Sequence, residues 1–83
     1  MAWLDDVTAH LAAAKNLDAG ALTVSSDETR EILEIARIAA HGSGARTNAP
    51  LLSYVLGMAR AQGVPLADLT AAVRELTGDP DAD

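Results

Sequence analysis

Apolar residues recur along the chain with the three-to-four-residue period of an α-helix, and no segment shows the alternation of a strand. The first periodic segment, about residues 2 to 15, places one apolar row on a single side: Trp3, Leu4, Val7, Leu11 and Ala14. The opposite side carries Asp5, Thr8 and Ala12. This pattern predicts an amphipathic helix at the surface of the fold.

A second helix is indicated by its start signal, the tetrapeptide SSDE at residues 25–28. The Ser25 hydroxyl is spaced to accept from the backbone N–H of Glu28 while the Glu28 carboxylate reaches back, a capping box that stabilises a helix by about 1 kcal/mol. From there to residue 41, apolar side chains cover well over half of the circumference. A helix of this kind is mostly buried, so it is predicted at the centre of the fold.

The third helix, about residues 49 to 62, is also apolar around most of its circumference. Its middle contains Gly57, which in a helix costs about 1 kcal/mol relative to alanine. The expected reason is the close approach of a neighbouring backbone.

The fourth helix begins near Pro65 and runs to residue 77, with one apolar stripe formed by Leu66, Leu69, Val73 and Leu76. Residues 16–24 break the helical period and predict a loop whose apolar side chains, Leu17, Leu22 and Val24, tuck under the bundle. The predicted fold is therefore all-α: a compact bundle of four short helices with a central hairpin of helices two and three. Residues 1–77 form its single domain and residues 78–83 a flexible acidic tail.

Composition and charge narrow the functional classes. The chain has 83 residues and a net charge of −6, and its six Lys and Arg residues are scattered. Nucleic acid is not an expected partner, because phosphate contacts need a basic stripe. The absence of cysteine excludes disulfides and thiolate metal sites, and no apolar run reaches the roughly 20 residues of a membrane span. A cytoplasmic protein without a membrane partner is the expectation.

The loop HGSGARTNAP, residues 41–50, resembles a phosphate-binding segment only in composition. It follows a helix instead of a strand, Thr47 stands where a third glycine is needed, and no lysine is present. The favoured interpretation is that the segment ends one helix and starts the next, with Gly42 as a left-handed C-cap, Asn48 as the cap of helix three and Pro50 at its start. The alternative is an anion site at the N-terminus of helix three, formed by Arg46, Thr47 and Asn48.

Helix two leaves a polar strip that contains Arg30, Glu34, Arg37 and His41. Glu34 is spaced to pair with Arg30 and with Arg37, which is typical of a solvated helix face; a partner-binding edge is the alternative. His10 and His41 lack the spacing of a zinc motif and are interpreted as a boundary and a helix-end histidine. No nucleophile, base and orienting group occur together, so no catalytic residue, metal or cofactor is predicted, and an enzyme is not expected.

The segment ILEIARIAAHGSGARTNAPLLSYVLGMARAQG resembles a family of small, uncharacterised actinobacterial helical domains. Its most specific parts are Ala40-His41-Gly42 and Ala49-Pro50-Leu51, and the resemblance covers most of the chain. Some domains of this kind carry the label of molybdopterin-guanine dinucleotide biosynthesis proteins or extend molybdenum cofactor guanylyltransferase at its C-terminus. The resemblance implies an accessory role near that reaction; nucleotide transfer itself would need an α/β domain that has no room in this chain.

The functional prediction is a non-enzymatic helical interaction module linked to molybdenum cofactor biosynthesis, with a molybdenum cofactor enzyme as protein partner. Its expected contact surface comprises Arg37, His41, Arg46, Thr47 and Asn48. Two alternatives stay open. One is a binder of phosphate or a nucleotide through residues 41–48. The other is a self-associating domain, a homodimer, because helices two and three offer more apolar surface than one small bundle buries.

Overall fold

The computed structural model describes residues 2–80 and contains four α-helices: α1 (Ala2–Lys15), α2 (Ser26–Gly42), α3 (Asn48–Ala61) and α4 (Leu66–Thr77). A short 3₁₀ helix, Ala19–Leu22, lies between α1 and α2. No strand occurs in this part of the chain. α2 packs most extensively against α3 and next against α4, so the predicted all-α bundle with a central α2/α3 hairpin is confirmed.

The core lies around α2, which is held between α3 and α4. Ile35 and Ile38 of α2 have no exposed surface, and Leu56 of α3 and Leu66 of α4 close the core from either side. Burying one such side chain contributes about 1.5–3 kcal/mol, and the small Ala39 beside them lets the helices approach. The predicted central position of the second helix follows from these contacts.

The predicted capping box is present at the start of α2. The backbone N–H of Glu28 donates to the Ser25 hydroxyl over 3.1 Å, and the backbone N–H of Ser25 donates to Glu28 Oε1 over 3.2 Å. Both bonds are local in sequence, which is why the pattern alone was sufficient to find them.

The end of α2 differs from the prediction. Gly42 is its last helical residue, and the left-handed conformation belongs to Gly44, with φ 89°. Gly42 has a packing role instead, because a Cβ at this position would lie 2.7 Å from Cγ2 of Thr77 in α4. The prediction of Gly42 as a left-handed cap was therefore wrong; the glycine lets the ends of α2 and α4 meet.

The start of α3 also differs. Thr47, not Asn48, occupies the cap position, with helical backbone angles and no side-chain cap bond. Asn48 is the first helical residue, and its Nδ2 donates to the Ser43 hydroxyl over 2.9 Å, which closes the loop. Pro50 is the third residue of α3, inside the first turn, where a missing backbone N–H costs no helical bond.

Gly57 is not in contact with a neighbouring backbone. A Cβ added there would meet no atom within 4 Å, so the predicted close approach was wrong. Gly57 lies in the exposed part of α3, and the fold of the described residues gives no packing reason for it.

α1 packs against the 3₁₀ helix and its backbone does not approach α2, α3 or α4. The side it buries centres on Ala12, while Trp3 is 73% exposed and Leu11 46% exposed. The apolar row of the sequence pattern is therefore turned partly to solvent. The chain turns back after α1, where the N–H of Leu17 donates to the carbonyl of Ala12 over 2.8 Å.

Two smaller expectations were also wrong. In the loop before α2, only Leu22 is half-buried, and Leu17 and Val24 are exposed. In α4, Leu76 is 90% exposed, and Thr70 is buried together with Leu66. Burial of Thr70 costs little because its hydroxyl lies 2.6 Å from Glu31 Oε2 and 3.0 Å from the carbonyl of Leu66.

Two further facts bear on the predicted tail and on membrane insertion. Asp79 pairs with Arg37, and Pro80 lies beside Gly42; residues 81–83 of the predicted flexible tail are outside the described residues. None of the described helices is long and apolar enough to cross a membrane.

Candidate functional site: the exposed face of α3

The most unusual surface of the bundle is the outer side of α3. Four large side chains lie there at positions i, i+3, i+4 and i+7, and each is about half exposed or more: Leu51 (64%), Tyr54 (73%), Val55 (52%) and Met58 (48%). This spacing puts them in one row along the helix. We refer to these four residues as the α3 face.

The opposite side of α3 is the one that packs against α2. Leu56 is buried there, and Leu52 and Ala59 are half-buried. α3 is thus apolar around most of its circumference, with Ser53 and Arg60 as exceptions, although its own chain covers only one side. Helices of that kind are normally enclosed, and contiguous apolar patches on a surface mark interaction sites.

A recess of about 310 Å³ borders the α3 face on the side of α4. Leu51 and Val55 line it from α3, and Val73 and Thr77 line it from α4. The recess is open to solvent and lies between the two helices. Anchor residues of protein interfaces commonly insert into such recesses.

The charges around the α3 face differ from those of the rest of the chain. The whole sequence has 12 Asp and Glu against 6 Lys and Arg, yet residues 43–67 contain no acidic residue. Their only charges are those of Arg46, just before α3, and Arg60, in its last turn. Arg46 thus lies at the N-terminal end of the row, whereas Arg60 pairs with Glu28 on the α2 side of α3. The row itself contains no acidic residue, on an otherwise acidic protein.

Arg37, one of the predicted contact residues, is engaged within the chain. Its guanidinium lies 2.5 Å from Glu34 Oε1 and 3.2 Å from Asp79 Oδ1, and Arg74 of α4 also reaches Glu34 Oε1, over 2.7 Å. The hydrogen bond from Arg37, aided by that from Arg74, lowers the pKa of Glu34 below its ordinary range. This network joins α2 to α4 and to the segment that follows it.

The expected pairing of Glu34 with Arg30 was wrong. Arg30 pairs with Asp27, and both side chains are well exposed. Glu34 takes Arg74 as its second partner because α4 packs beside this side of α2, which a helical spacing within α2 alone does not show.

The other predicted site residues lie in or beside the loop between α2 and α3. His41, Arg46 and Thr47 are exposed, and Asn48 is half-buried. The Ser43 hydroxyl, which accepts from Asn48, also donates to the carbonyl of Ala45 over 3.1 Å, so the loop is closed by its own polar groups. The structure thus places Arg46, Thr47 and Asn48 at the N-terminal edge of the α3 face and engages Arg37 in the Glu34 network.

Sequence reasoning missed the α3 face itself. It assigned the apolar residues of helix three to the interior and looked for function among charged ones. The available signal was the combination of a helix that is apolar around most of its circumference with the complete lack of acidic residues from 43 to 67. The same excess of apolar surface was the ground for expecting a homodimer.

Within residues 2–80, no three histidine, aspartate or glutamate side chains are grouped closely enough to hold a metal ion. Every buried side-chain nitrogen and oxygen in that part of the chain has a hydrogen-bond partner. The described residues thus contain no orphaned buried polar group of the kind that points to a bound ligand or ion.

Fold and surface together define a small all-α domain with one exposed apolar helix face. The chain belongs to the family described as a domain of unknown function, DUF6457, which it matches over residues 1–82. No curated protein and no solved structure shows detectable similarity to it.

Proposed function

We propose that this domain is a non-enzymatic helical interaction module and that a protein partner covers the α3 face. One observation carries the proposal: four large apolar side chains in helical spacing, from Leu51 to Met58, are left exposed by their own chain. Tyr54, with 73% of its surface exposed at the centre of the row, has the chemistry of an interface anchor.

The chemistry of the surface describes the partner. An apolar groove or a second amphipathic helix would cover Leu51, Tyr54 and Met58. An acidic side chain at one end of the partner would face Arg46, which makes the contact complementary in charge there and sets its direction along α3. Thr47 and Asn48 then lie at the rim, where polar contacts add specificity more than affinity.

The resemblance to domains that extend molybdenum cofactor guanylyltransferase suggests which partner to test first. In this proposal the domain binds that enzyme, or an acceptor of its product, and does not itself transfer a nucleotide. His41, in the most specific part of the resemblance, lies in the last turn of α2, shortly before the loop that leads to the α3 face.

The test is a binding measurement between the purified chain and a molybdenum cofactor guanylyltransferase from the same organism, by calorimetry or interferometry. Tyr54→Glu should weaken binding by at least about 30-fold, because it removes an aromatic anchor and adds a charge that must be desolvated. Leu76→Glu is the matched control, since Leu76 is 90% exposed on α4 and outside the α3 face.

Equal binding of both variants and the wild type would contradict the role of the α3 face. No binding of the wild type to the enzyme would remove that partner and leave the interaction surface to be tested against others. Circular dichroism of each variant keeps these results separate from loss of fold.

Self-association is a second candidate, because the α3 face is also available to a second copy and Trp3 of α1 adds further exposed apolar surface. A homodimer would give twice the monomer mass in light scattering, and Tyr54→Glu would restore the monomer. A monomeric mass at every concentration would exclude it. Binding of phosphate or a nucleotide by residues 41–48 stays a prediction.

A further inference from the structure

A groove of about 490 Å³ opens on the other side of α3, between that helix, α2 and the 3₁₀ segment. Its apolar walls come from Leu22 of the 3₁₀ segment, Val24 just after it, Ile32 of α2 and Leu56 of α3. Small-molecule sites are mostly apolar clefts of about 300–1,000 Å³ with a few polar groups at defined points. The size and walls of this groove fit that description.

Gly57 lies in the wall of the groove. A glycine inside a helix costs about 0.5–1 kcal/mol relative to alanine, and here no neighbouring atom within 4 Å requires one. What the missing side chain does provide is access: the backbone of α3 is open to a molecule in the groove. Close approach of a ligand is one of the recurring reasons for glycine at such a position.

The mouth of the groove is bipolar. Nε of Arg60 donates to Glu28 Oε2 over 3.3 Å, while Glu28 Oε1 accepts from the backbone N–H of Ser25. Within residues 2–80, no group accepts a hydrogen bond from the terminal amino groups of Arg60. The guanidinium therefore has donors left for an anion, and the Glu28 carboxylate has lone pairs left for a cation.

A second, charged cleft of about 600 Å³ adjoins the groove and shares Glu28, Arg60 and Leu66 with it. It adds Glu31, whose carboxylate accepts from Thr70, and the Asp27–Arg30 pair. Glu31 has no ion-pair partner within residues 2–80, so this side of the mouth carries excess negative charge. The acidic side favours an ammonium group, and Arg60 favours a carboxylate.

We propose that the groove binds a small zwitterion with an apolar body, the chemistry of an apolar amino acid or dipeptide. The apolar body lies along Leu22, Ile32 and Gly57. The carboxylate accepts from the terminal amino groups of Arg60, and the ammonium group donates to Glu28 on the side of Glu31. This site is separate from the α3 face and does not depend on the proposed function.

Because the groove offers a charged partner at each end, a ligand that carries only one of the two charged groups should bind more weakly. A carboxylate without an ammonium group meets the excess negative charge of Glu28 and Glu31. An amine without a carboxylate leaves the donors of Arg60 unused. The hydrogen bond from the Ser25 backbone, helped by Arg60, also lowers the pKa of Glu28, so this carboxylate is ionised at neutral pH.

The experiment is an amide-shift titration of the ¹⁵N-labelled chain with four probes: leucine, leucyl-leucine, 4-methylpentanoate and 3-methylbutylamine. Leucine or the dipeptide should shift residues 22–24 and 56–61 and bind at least about tenfold more tightly than the acid or the amine, which each lack one charged group. Comparison of the two zwitterions decides between an amino acid and a dipeptide.

Two variants make the result specific. Gly57→Leu should abolish the shifts by filling the groove, and its open surroundings allow the fold to persist, which circular dichroism checks. Arg60→Gln should weaken binding at least about tenfold, because it removes the carboxylate's charged partner. Arg46→Gln, at the other end of α3, is the matched control and should bind as the wild type does.

Each contrary result overturns the proposal. No shift by any probe up to about 10 mM, an affinity too weak to matter by the usual relation of dissociation constant to free energy, removes the site. Equal binding of the acid or the amine removes the zwitterionic class. Unchanged binding by a folded Gly57→Leu variant places the ligand elsewhere.

Discussion

The sequences of α2 and α3 are similarly apolar, but the fold buries the apolar side chains of the two helices to different extents. Both are apolar around most of their circumference, yet Ile35 and Ile38 of α2 have no exposed surface while Tyr54 of α3 is 73% exposed. The difference comes from position, since α2 lies between two helices and α3 packs mainly against one. The chain itself covers most of the apolar surface of α2, where Leu33 is the large exposed side chain at 65%, and much less of that of α3.

The polar groups of the two helices differ in the same sense. α2 carries carboxylates that are bonded within the chain, Glu28 in the capping box and Glu34 in the network with Arg37 and Arg74. α3 contains no acidic residue, and its single charge is Arg60. The carboxylates of α2 therefore help to hold the domain together, and in the proposed function the outer side of α3 is left for contacts with a partner.

Truncation of a large side chain should lower the free energy of unfolding much more in α2 than on the α3 face, and this is the largest difference expected between the two helices. Ile38→Ala should lower the free energy of unfolding by about 2–5 kcal/mol, because it leaves a cavity where the side chain is completely enclosed. Tyr54→Ala on the α3 face should change it by no more than about 0.5 kcal/mol, as is usual for exposed positions. Urea unfolding followed by circular dichroism measures both.

A large loss in Tyr54→Ala would break the comparison, because it would show that the α3 face contributes to the fold of the isolated chain. The same loss appearing only at high protein concentration would indicate a homodimer.

The two helical glycines should respond in opposite directions. Gly42→Ala should destabilise the fold by about 1–2 kcal/mol, since the new Cβ would lie 2.7 Å from Thr77 Cγ2 and the gain in helix propensity offsets only part of the strain. Gly57→Ala should stabilise it by about 0.5–1 kcal/mol, because no atom is close to the added methyl group.

Thr77→Ser removes the methyl group that Gly42→Ala would strike, so the double variant should recover part of the loss. Additive effects of the two substitutions would show that the clash is not the cause. A destabilised Gly57→Ala variant would contradict the open surroundings of Gly57.

These glycines also show what the sequence could and could not predict. Helix positions and the capping box of Ser25 and Glu28 were predictable, because they depend on neighbours within four residues. The roles of Gly42 and Gly57 were not, since they depend on whether α4 or another element lies opposite. Both predictions used a general rule for glycine, and the contact that decides between the rules is distant in sequence.

The candidate surface was predictable only in part. The sequence indicated excess apolar area on helices two and three but not which row stays exposed. For α1 the period was predicted correctly but the buried side was not: Ala12 is buried while Trp3 and Leu11 are exposed, because the backbone of α1 approaches only the 3₁₀ helix. The hydrophobic period of a helix predicts which side is buried only when another element of the same chain packs against that side.

Loss of the N-cap residue should destabilise α2 more than α3, by a smaller amount than the substitutions above. Ser25→Ala should cost about 1 kcal/mol, because the N–H of Glu28 loses its acceptor. Thr47→Ala should cost only about 0.5 kcal/mol or less, as the Thr47 side chain makes no cap bond and the position is exposed. Thermal unfolding of both variants tests this, and an equal loss would mean that Thr47 supports α3 in a way its geometry does not show.

The smallest effect concerns pH. The pKa of Glu34 is lowered by its hydrogen bonds from Arg37 and Arg74, so its stabilising contribution is complete above the ordinary value of 4.5. It is lost as the pH falls below 4.5 and through the lowered pKa of the folded state. The difference in unfolding free energy between wild type and Glu34→Gln should therefore shrink from pH 7 to pH 3.

Glu75→Gln is the control, since this exposed α4 carboxylate makes no ion pair within residues 2–80. The difference in unfolding free energy between wild type and Glu75→Gln should stay near zero. A Glu34→Gln difference that does not change with pH would show that packing, and not charge, joins α2 to α4 at this point.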